Sequence, residues 1–199
     1  MRTVTAEAVS RRSRITPERE AELYGAVLDL LREVGYDGLT MDAVAARTRS
    51  SKATLYRQWG SKAELAVRAL RSQKRVNLED VDTGSLRGDF HRIVESEDDC
   101  RMEEDSALMR GLAMAVHANP DLHKAFRELM VAPEVTGLGR VLQRAVDRGE
   151  VGADNPALPY VVHMLIGAYV ARDLVDGRPL NQSFLRDYVD SVVLPALGV

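Results

Sequence analysis

The side chains best suited to chemistry lie between Thr40 and Leu70. In the run Ser51-Lys52-Ala53-Thr54-Leu55-Tyr56-Arg57-Gln58, Ser51 can cap a helix and Leu55 can anchor it. Such a helix turns Lys52, Ala53, Thr54, Tyr56, Arg57 and Gln58 outward. That set suits a DNA duplex: Lys, Thr and Tyr reach phosphate oxygens, Arg pairs with guanine, Gln with adenine, and Ala or the Thr methyl meets the thymine methyl. Downstream, Ser61 and Glu64 have the S-x-x-E spacing of a capping box. Lys62 then sits in a first helical turn, where free backbone N–H groups and a cation together favour a phosphate.

No comparable pattern suits catalysis. G-x-S-x-G, a phosphate loop, a dinucleotide fingerprint and H-E-x-x-H are absent from the sequence, so no enzyme and no cofactor is expected. The acidic run Glu95, Glu97, Asp98, Asp99, Glu103, Glu104 and Asp105 invites a metal, but His91 and Cys100 do not stand at compact ligand spacing with it. Acids entering a helix are favoured by its dipole in any case, and no metal is expected. The single cysteine excludes an intrachain disulfide framework and suits a reducing cytoplasm.

Helices must position these groups. Leu23, Val27, Leu30, Leu31 and Val34 form one apolar stripe, which Thr16 caps, Pro17 starts and Gly35 closes. Similar stripes run through Leu86–Val94, Leu108–Val116, Val135–Ala145 and Leu185–Val193, and no stretch alternates long enough for a sheet. The chain is expected to be all-α. Thr40 caps a short helix with Met41, Val44 and Ala45 inward; joined by a tight turn to the helix after Ser51, it makes a helix-turn-helix. The charge is divided accordingly. Residues 1–75 carry 15 Lys/Arg against 9 Asp/Glu, and residues 76–199 carry 12 against 21. Asp82-Thr83-Gly84-Ser85 marks the change. The expected organisation is a basic flexible arm over 1–14, a three-helix DNA-binding unit over 15–75, and a helical unit over 76–199, with the helix that starts after Ser61 running to about Val76 as the link.

Gly35–Ala45 (G-Y-D-G-L-T-M-D-A-V-A), Ser51–Tyr56 (S-K-A-T-L-Y) and Trp59–Leu65 (W-G-S-K-A-E-L) together resemble the amino-terminal domain of the TetR family of bacterial transcriptional regulators. Gly84–Phe90 (G-S-L-R-G-D-F) and Arg148–Val151 (R-G-E-V) look like phrases of actinobacterial members. The resemblance implies a homodimer that sets two recognition helices in successive major grooves of a palindromic, double-stranded operator. It also implies a repressor that a small ligand in the carboxy-terminal domain releases. By position, Thr40, Tyr56 and Lys62 match residues that grip phosphates, whereas Lys52, Ala53, Thr54, Arg57 and Gln58 lie in or beside the groove. Trp59 matches a packing aromatic. Two positions depart from the pattern. Arg49 and Ser50 stand where the family has Gly and an apolar residue, so the turn is open to a different shape and Arg49 to a phosphate contact. Gln58 replaces a more usual His.

The acidic half is expected to sense and to pair. Ala157–Val175 is apolar on nearly every face, but its least charged part, Ala157–Ala171, is short of a membrane span, so the segment needs cover from its own domain and from a partner subunit; with Val135–Val146 it would build an isologous four-helix interface. Met102, Met109, Met114, Met130 and Met164, with Leu112, Phe126 and Tyr169, could line a cavity for an apolar or aromatic effector, anchored by His117 or His163. An activator of the same architecture, and a helical ligand-binding protein without DNA binding, are the competing readings.

Overall fold

The computed structural model describes residues 15–96 and 98–199, with the side chains of residues 101, 104–107, 109, 110 and 113 excepted. The expected arm over 1–14 lies outside the described residues. Among them the elements are helical: α1 Pro17–Gly38, α2 Met41–Thr48, α3 Lys52–Trp59, α4 Lys62–Arg71, α5 Leu86–Glu95, α6 Asp99–Ala118, α7 Pro120–Phe126, α8 Ala132–Asp147, α9 Val161–Asp176, α10 Gln182–Tyr188 and α11 Leu194–Leu197.

Side-chain caps set most of the boundaries. The hydroxyl oxygens of Thr16, Thr40, Ser51, Ser61 and Ser85, and the side-chain oxygens of Asn119 and Asn181, accept the backbone N–H three residues on. Gly35 adopts φ +67° and kinks α1 rather than ending it, so the helix resumes to Gly38 with Tyr36 turned into the core. The linking helix is shorter than expected. It stops at Arg71, because Gln73 and Lys74 donate to Leu70 and Arg71 at 3.1 Å and draw the end into a tight turn. Two five-residue π turns, Arg127–Val131 and Val189–Val193, join α7 to α8 and α10 to α11. Each lies two residues before a proline, Pro133 or Pro195. A proline inside a helix has no N–H to donate and its ring crowds the carbonyl four residues back, and the wider turn relieves both.

Two apolar cores result. The first joins Leu23, Val27, Leu55, Trp59, Leu65 and Val67 of the amino-terminal helices to Leu112 of α6, Leu122 and Ala125 of α7, and Met130. The second gathers Leu86 and Phe90 of α5, Val141 and Ala145 of α8, Val161 of α9, and Val189, Val193 and Leu197 at the carboxy end. Helices α6 and α7 thus complete the amino-terminal core although they follow residue 76.

The segments Gly84–Phe90 and Arg148–Val151 meet. Asp89 is fully buried and accepts from the Thr83 N–H at 2.6 Å and hydroxyl at 2.8 Å, with the Arg148 guanidinium 3.4 Å away. Glu150 accepts from the Leu86 N–H at 2.6 Å, taking up one of the open donors at the start of α5. A Cβ on Gly88 would lie 2.3 Å from the Thr83 hydroxyl, so any larger residue must displace that hydroxyl from Asp89.

Helix α9 is where coverage fails within one chain. Val161 and Ala168 are buried, but Ile166, Val170, Leu174 and Val175 are 50%, 54%, 85% and 76% exposed. By length and composition Leu158–Asp176 is apolar enough to cross a membrane, contrary to the shorter run expected. Its last turns nevertheless carry Arg172, which pairs with Asp176 and lies 4.1 Å over the Phe184 ring.

Candidate nucleic-acid interface

The reading head consists of α2, α3 and the turn between them. On α3, Leu55 and Trp59 are buried while Lys52, Ala53, Tyr56, Arg57 and Gln58 are exposed and Thr54 is half-buried. Trp59 fixes the helix to α1: its indole N–H donates to the Tyr24 hydroxyl at 3.0 Å, and the two rings meet edge-on with centroids 6.0 Å apart. The Tyr24 hydroxyl in turn donates to Glu20 at 3.0 Å. Packing is therefore what Trp59 does.

The turn keeps the left-handed shape despite lacking glycine. Arg49 caps α2 at φ +51° and ψ 36°, and is the non-glycine residue with positive φ among those described. The Ser50 N–H closes onto Ala45 O at 3.0 Å. A residue with a Cβ forfeits roughly 1–2 kcal/mol in this conformation. The turn is held on its inner side by Thr48, buried, whose hydroxyl donates to Val44 O at 2.7 Å. Arg19 of α1 holds it from outside, donating to the Thr48 carbonyl and, at 3.2 Å, to the Ser50 hydroxyl.

Cations around the head divide into two groups. Arg49 and Arg57 are exposed and make no ion pair with a described residue. Lys52 is held by Asp42 at 2.7 Å, a contact that raises its pKa, and Arg47 grips Glu33 through two bonds of 3.1 and 2.8 Å, which lowers the Glu33 pKa. Lys62 is half-buried: it donates to Tyr36 O at 3.0 Å and lies 4.2 Å above the Tyr36 ring. Burial, with smaller contributions from Asp121 and Asp37, pushes the Tyr36 phenol up to about 12. The capping box is only half formed. Ser61 Oγ accepts from the Glu64 N–H at 3.1 Å, but the Ser61 N–H goes to Trp59 O at 2.8 Å, and the Glu64 carboxylate turns toward Arg68 at 3.8 Å. Thr40 spends an oxygen lone pair on the Ala43 N–H at 3.1 Å, so its O–H proton can still be donated outward.

All nine expected DNA contacts, Thr40, Arg49, Lys52, Ala53, Thr54, Tyr56, Arg57, Gln58 and Lys62, lie on α2, α3, the turn, or the start of α4. Sequence reasoning missed Asp42 and Tyr36, which hold Lys52 and Lys62, and Arg19, which holds the turn itself. A paired-charge pattern between the first turns of α2 and α3 was the available signal for Asp42; nothing local marks Arg19.

The residues expected to line an effector cavity are distributed rather than gathered. Leu112 and Met130 are buried in the first core with Phe126 packed against it, and Met102 is buried on α6. Met164 packs against the second core, and Tyr169 is half-buried. Met114 is 78% exposed, and His117 and His163 are exposed as well. The Met109 side chain lies outside the described residues. Two open clefts lie elsewhere. One, of about 300 Å³, runs along Arg75–Asn77, Asp80–Thr83 and Arg92; the other, of about 220 Å³, lies between Tyr24, Arg68, Arg71, Ser72 and Leu129. The acidic run gathers no metal-binding group of three His, Cys, Asp or Glu among the described residues.

Comparison with known proteins agrees with this geometry. Residues 24–69 match the family described as "Bacterial regulatory proteins, tetR family", and residues 80–192 match "Tetracyclin repressor-like, C-terminal domain". The chain is 38% identical over 180 residues to an uncharacterized HTH-type transcriptional regulator of Mycobacterium tuberculosis, a match spanning 90% of this chain and 88% of that one. It is 34% identical over 177 residues to a DNA-binding transcriptional repressor TetR of Mycobacteroides abscessus, spanning 88% and 92%. A crystal structure of a TetR family transcription regulator superposes with TM-score 0.66 at 27% identity, over 90% of this chain and 98% of the other. A TetR-family chain from Rhodococcus sp. gives TM-score 0.70 at 18% identity, over 92% and 100%, a likeness of fold alone.

Proposed function

We propose, for a chain that belongs to the TetR family of DNA-binding transcriptional regulators, that it acts as a cytoplasmic, homodimeric repressor of a palindromic operator and is released by a small apolar or aromatic effector. The observation that carries this reading is the one-sided recognition helix. Leu55 and Trp59 lock α3 against the fold while Tyr56, Arg57 and Gln58 face outward beside Arg49. Arg57 and Gln58 read base edges; Thr40, Arg49, Tyr56 and Lys62 hold phosphates; Lys52, Ala53 and Thr54 lie in or beside the groove.

The dimer is supported by the exposed apolar face of α9, and Val135 of α8 is a further exposed apolar side chain, at 43%. A second copy applied through a two-fold axis covers that face with itself. The charged end of α9, with Arg172 and Asp176, favours a protein partner there over lipid. The effector reading is supported by Leu112, Phe126 and Met130, which pack into the same core as Leu65–Leu70 of α4. A ligand lodged beside them would bear directly on the helix that carries Lys62, and it acts only through a difference in affinity for the two dimer geometries.

Selecting bound DNA from a random pool tests the whole reading. The expected product is a palindrome whose half-sites lie one helical turn, ~34–36 Å, or a multiple of it apart. Substituting Arg57 or Gln58 changes the recovered half-site. Recovery of no preferred sequence refutes the assignment, and a binding chain that raises reporter expression identifies an activator instead.

A further inference from the structure

We infer that Arg19 is a positioning residue for DNA recognition: it clasps the helix-turn-helix turn from outside and holds in place a left-handed residue that is not glycine. The inference rests on the DNA-binding reading above and adds to it a residue outside the reading head.

Arg49 occupies φ +51°, a region disfavoured for any residue with a Cβ. A turn with that preference relaxes toward negative φ, which would swing α3 relative to α2 and re-aim Tyr56, Arg57 and Gln58. The flanking backbone must therefore be held. Thr48 and Ser50 are those flanks, and one guanidinium nitrogen of Arg19 binds both, at the Thr48 carbonyl and at the Ser50 hydroxyl 3.2 Å away. The carbonyl's other donor is the Ser50 hydroxyl at 3.5 Å, the outer limit of a hydrogen bond, so Arg19 is its principal partner. Thr48 lies at the carboxy end of α2, where helix carbonyls lack a helical partner, and it is buried from water.

The clasp is itself pre-set. Arg19 lies in the first turn of α1, where its own N–H is taken up by the Thr16 hydroxyl at 3.3 Å. Its other guanidinium nitrogen is steadied by Glu22 at 2.6 Å. The Glu22 carboxylate is largely exposed, so that pair orients the fork more than it stabilises the fold. The planar fork sets one nitrogen on the turn and the other on Glu22, a fixed two-point geometry that the single nitrogen of a lysine ammonium cannot reproduce. Because Arg19 answers a strain created by Arg49, the two positions are coupled. Removing the strain removes the need for the clasp.

The test is a double-mutant cycle on the full chain, combining Arg19→Ala with Arg49→Gly, read in two ways. The first readout is the urea midpoint of unfolding without DNA. Arg19→Ala lowers it in the natural background and lowers it much less in the Arg49→Gly background. The second is operator affinity for the sequence recovered by selection. Arg19→Ala raises Kd about tenfold, equivalent to about 1.4 kcal/mol, in the natural background, and at most about twofold when position 49 is glycine. The salt dependence does not change on Arg19→Ala, because the residue touches no phosphate. Arg19→Lys keeps the charge and still loses most of the affinity.

Equal losses in both backgrounds overturn the inference. With an unchanged salt slope they make Arg19 an independent structural contact; with a slope flatter by about one unit they make it a direct phosphate contact. Arg19→Lys behaving as the natural chain also overturns it. A natural chain that binds no DNA refutes the interface reading, and in that case the unfolding cycle alone still decides whether the two residues are coupled.

Discussion

Replacing Lys62 separates the contact that its ammonium group makes with Tyr36 from the phosphate contact proposed for the same group. Nζ donates to Tyr36 O at 3.0 Å and stands 4.2 Å over the Tyr36 ring, strapping the kinked end of α1 to the start of α4. A hydrogen bond from a charged donor contributes about 1.5–3 kcal/mol when fully buried, and nearer 1 kcal/mol at a half-exposed position. The cation above the ring adds about 0.5–1 kcal/mol. Lys62→Ala should therefore destabilise the chain by about 1.5–2 kcal/mol, or roughly 3–8 °C in Tm for a domain of this size. An ammonium has three donors, and one directed at the carbonyl leaves others for a phosphate. The same substitution should then flatten the plot of log K against log salt by about 0.9, with the loss alike for all sequences. Lys62→Met keeps the apolar stem and should show both effects with less loss of packing. Thermal unfolding without DNA and binding titrations at four or five salt concentrations read the two jobs independently. An unchanged Tm refutes the strap, and an unchanged slope refutes the phosphate contact.

Three further outcomes are expected. Glu150 is held below the ordinary carboxylate range first by the Leu86 N–H and then by Arg148, so its contribution is complete above the unfolded carboxyl pKa and is lost as the pH falls through the lowered folded value. Glu150→Ala should lower stability at neutral pH by about 1–2 kcal/mol and reduce the acid sensitivity, as urea midpoints across pH 3–7 will show. The Tyr36 phenol, raised to about 12, contributes stability that is complete below an unfolded pKa of about 10 and is lost as the pH rises toward the folded value; Tyr36→Phe should flatten that alkaline decline. Val170→Glu, at a position 54% exposed in the single chain, should leave a folded monomer by sedimentation and weaken operator binding, whereas a dimer of natural strength would remove α9 from the interface.

The reading head was legible in the sequence because its signals are local. Thr40, Ser51 and Ser61 cap helices through atoms three residues away, and Leu55 and Trp59 divide α3 into an inner and an outer face within two turns. What escaped depends on contacts across the chain. Arg19 meets Thr48 and Ser50 some thirty positions on, and the Asp89–Arg148 and Leu86–Glu150 contacts span about sixty. The two short phrases around them were visible, but not that they meet. Apolar periodicity placed Leu108, Leu112, Ala115 and Val116 on one stripe without saying which core it enters, and the structure puts it in the core that contains α1 and α4. The π turns did have a signature in Pro133 and Pro195. A single proline after a long apolar stripe reads equally well as a helix start, however, and only the continuous path through both neighbours distinguishes the cases.

That continuous path bears on how a dimer face could govern the reading head. From Pro120 to Asp147 the chain is one uninterrupted helical run with a π turn at its middle. Its first half inserts Leu122, Ala125 and Met130 into the core that contains α4; its second half inserts Leu138, Val141 and Ala145 into the other core. The outer side of α8, with Val135, Gly139 and Arg140, is exposed, and its inner side shares the second core with Val161 of α9, whose exposed face is the one assigned to the second copy. A rotation of α8 within such a dimer cannot be absorbed by a flexible loop, because none intervenes before α7. It must be taken up at the π turn or passed to α4. The π turn is the compliant point, since its wider ring holds the backbone less firmly than the helix on either side. Close packing of both halves leaves discrete arrangements rather than a continuous range, as two dimer geometries with different operator affinity require. In such a dimer the short helix α4, ending at Arg71, would transmit motion at its amino end, where Ser61 meets Trp59 of α3 and Lys62 meets Tyr36 of α1, and not by leverage over a long arm.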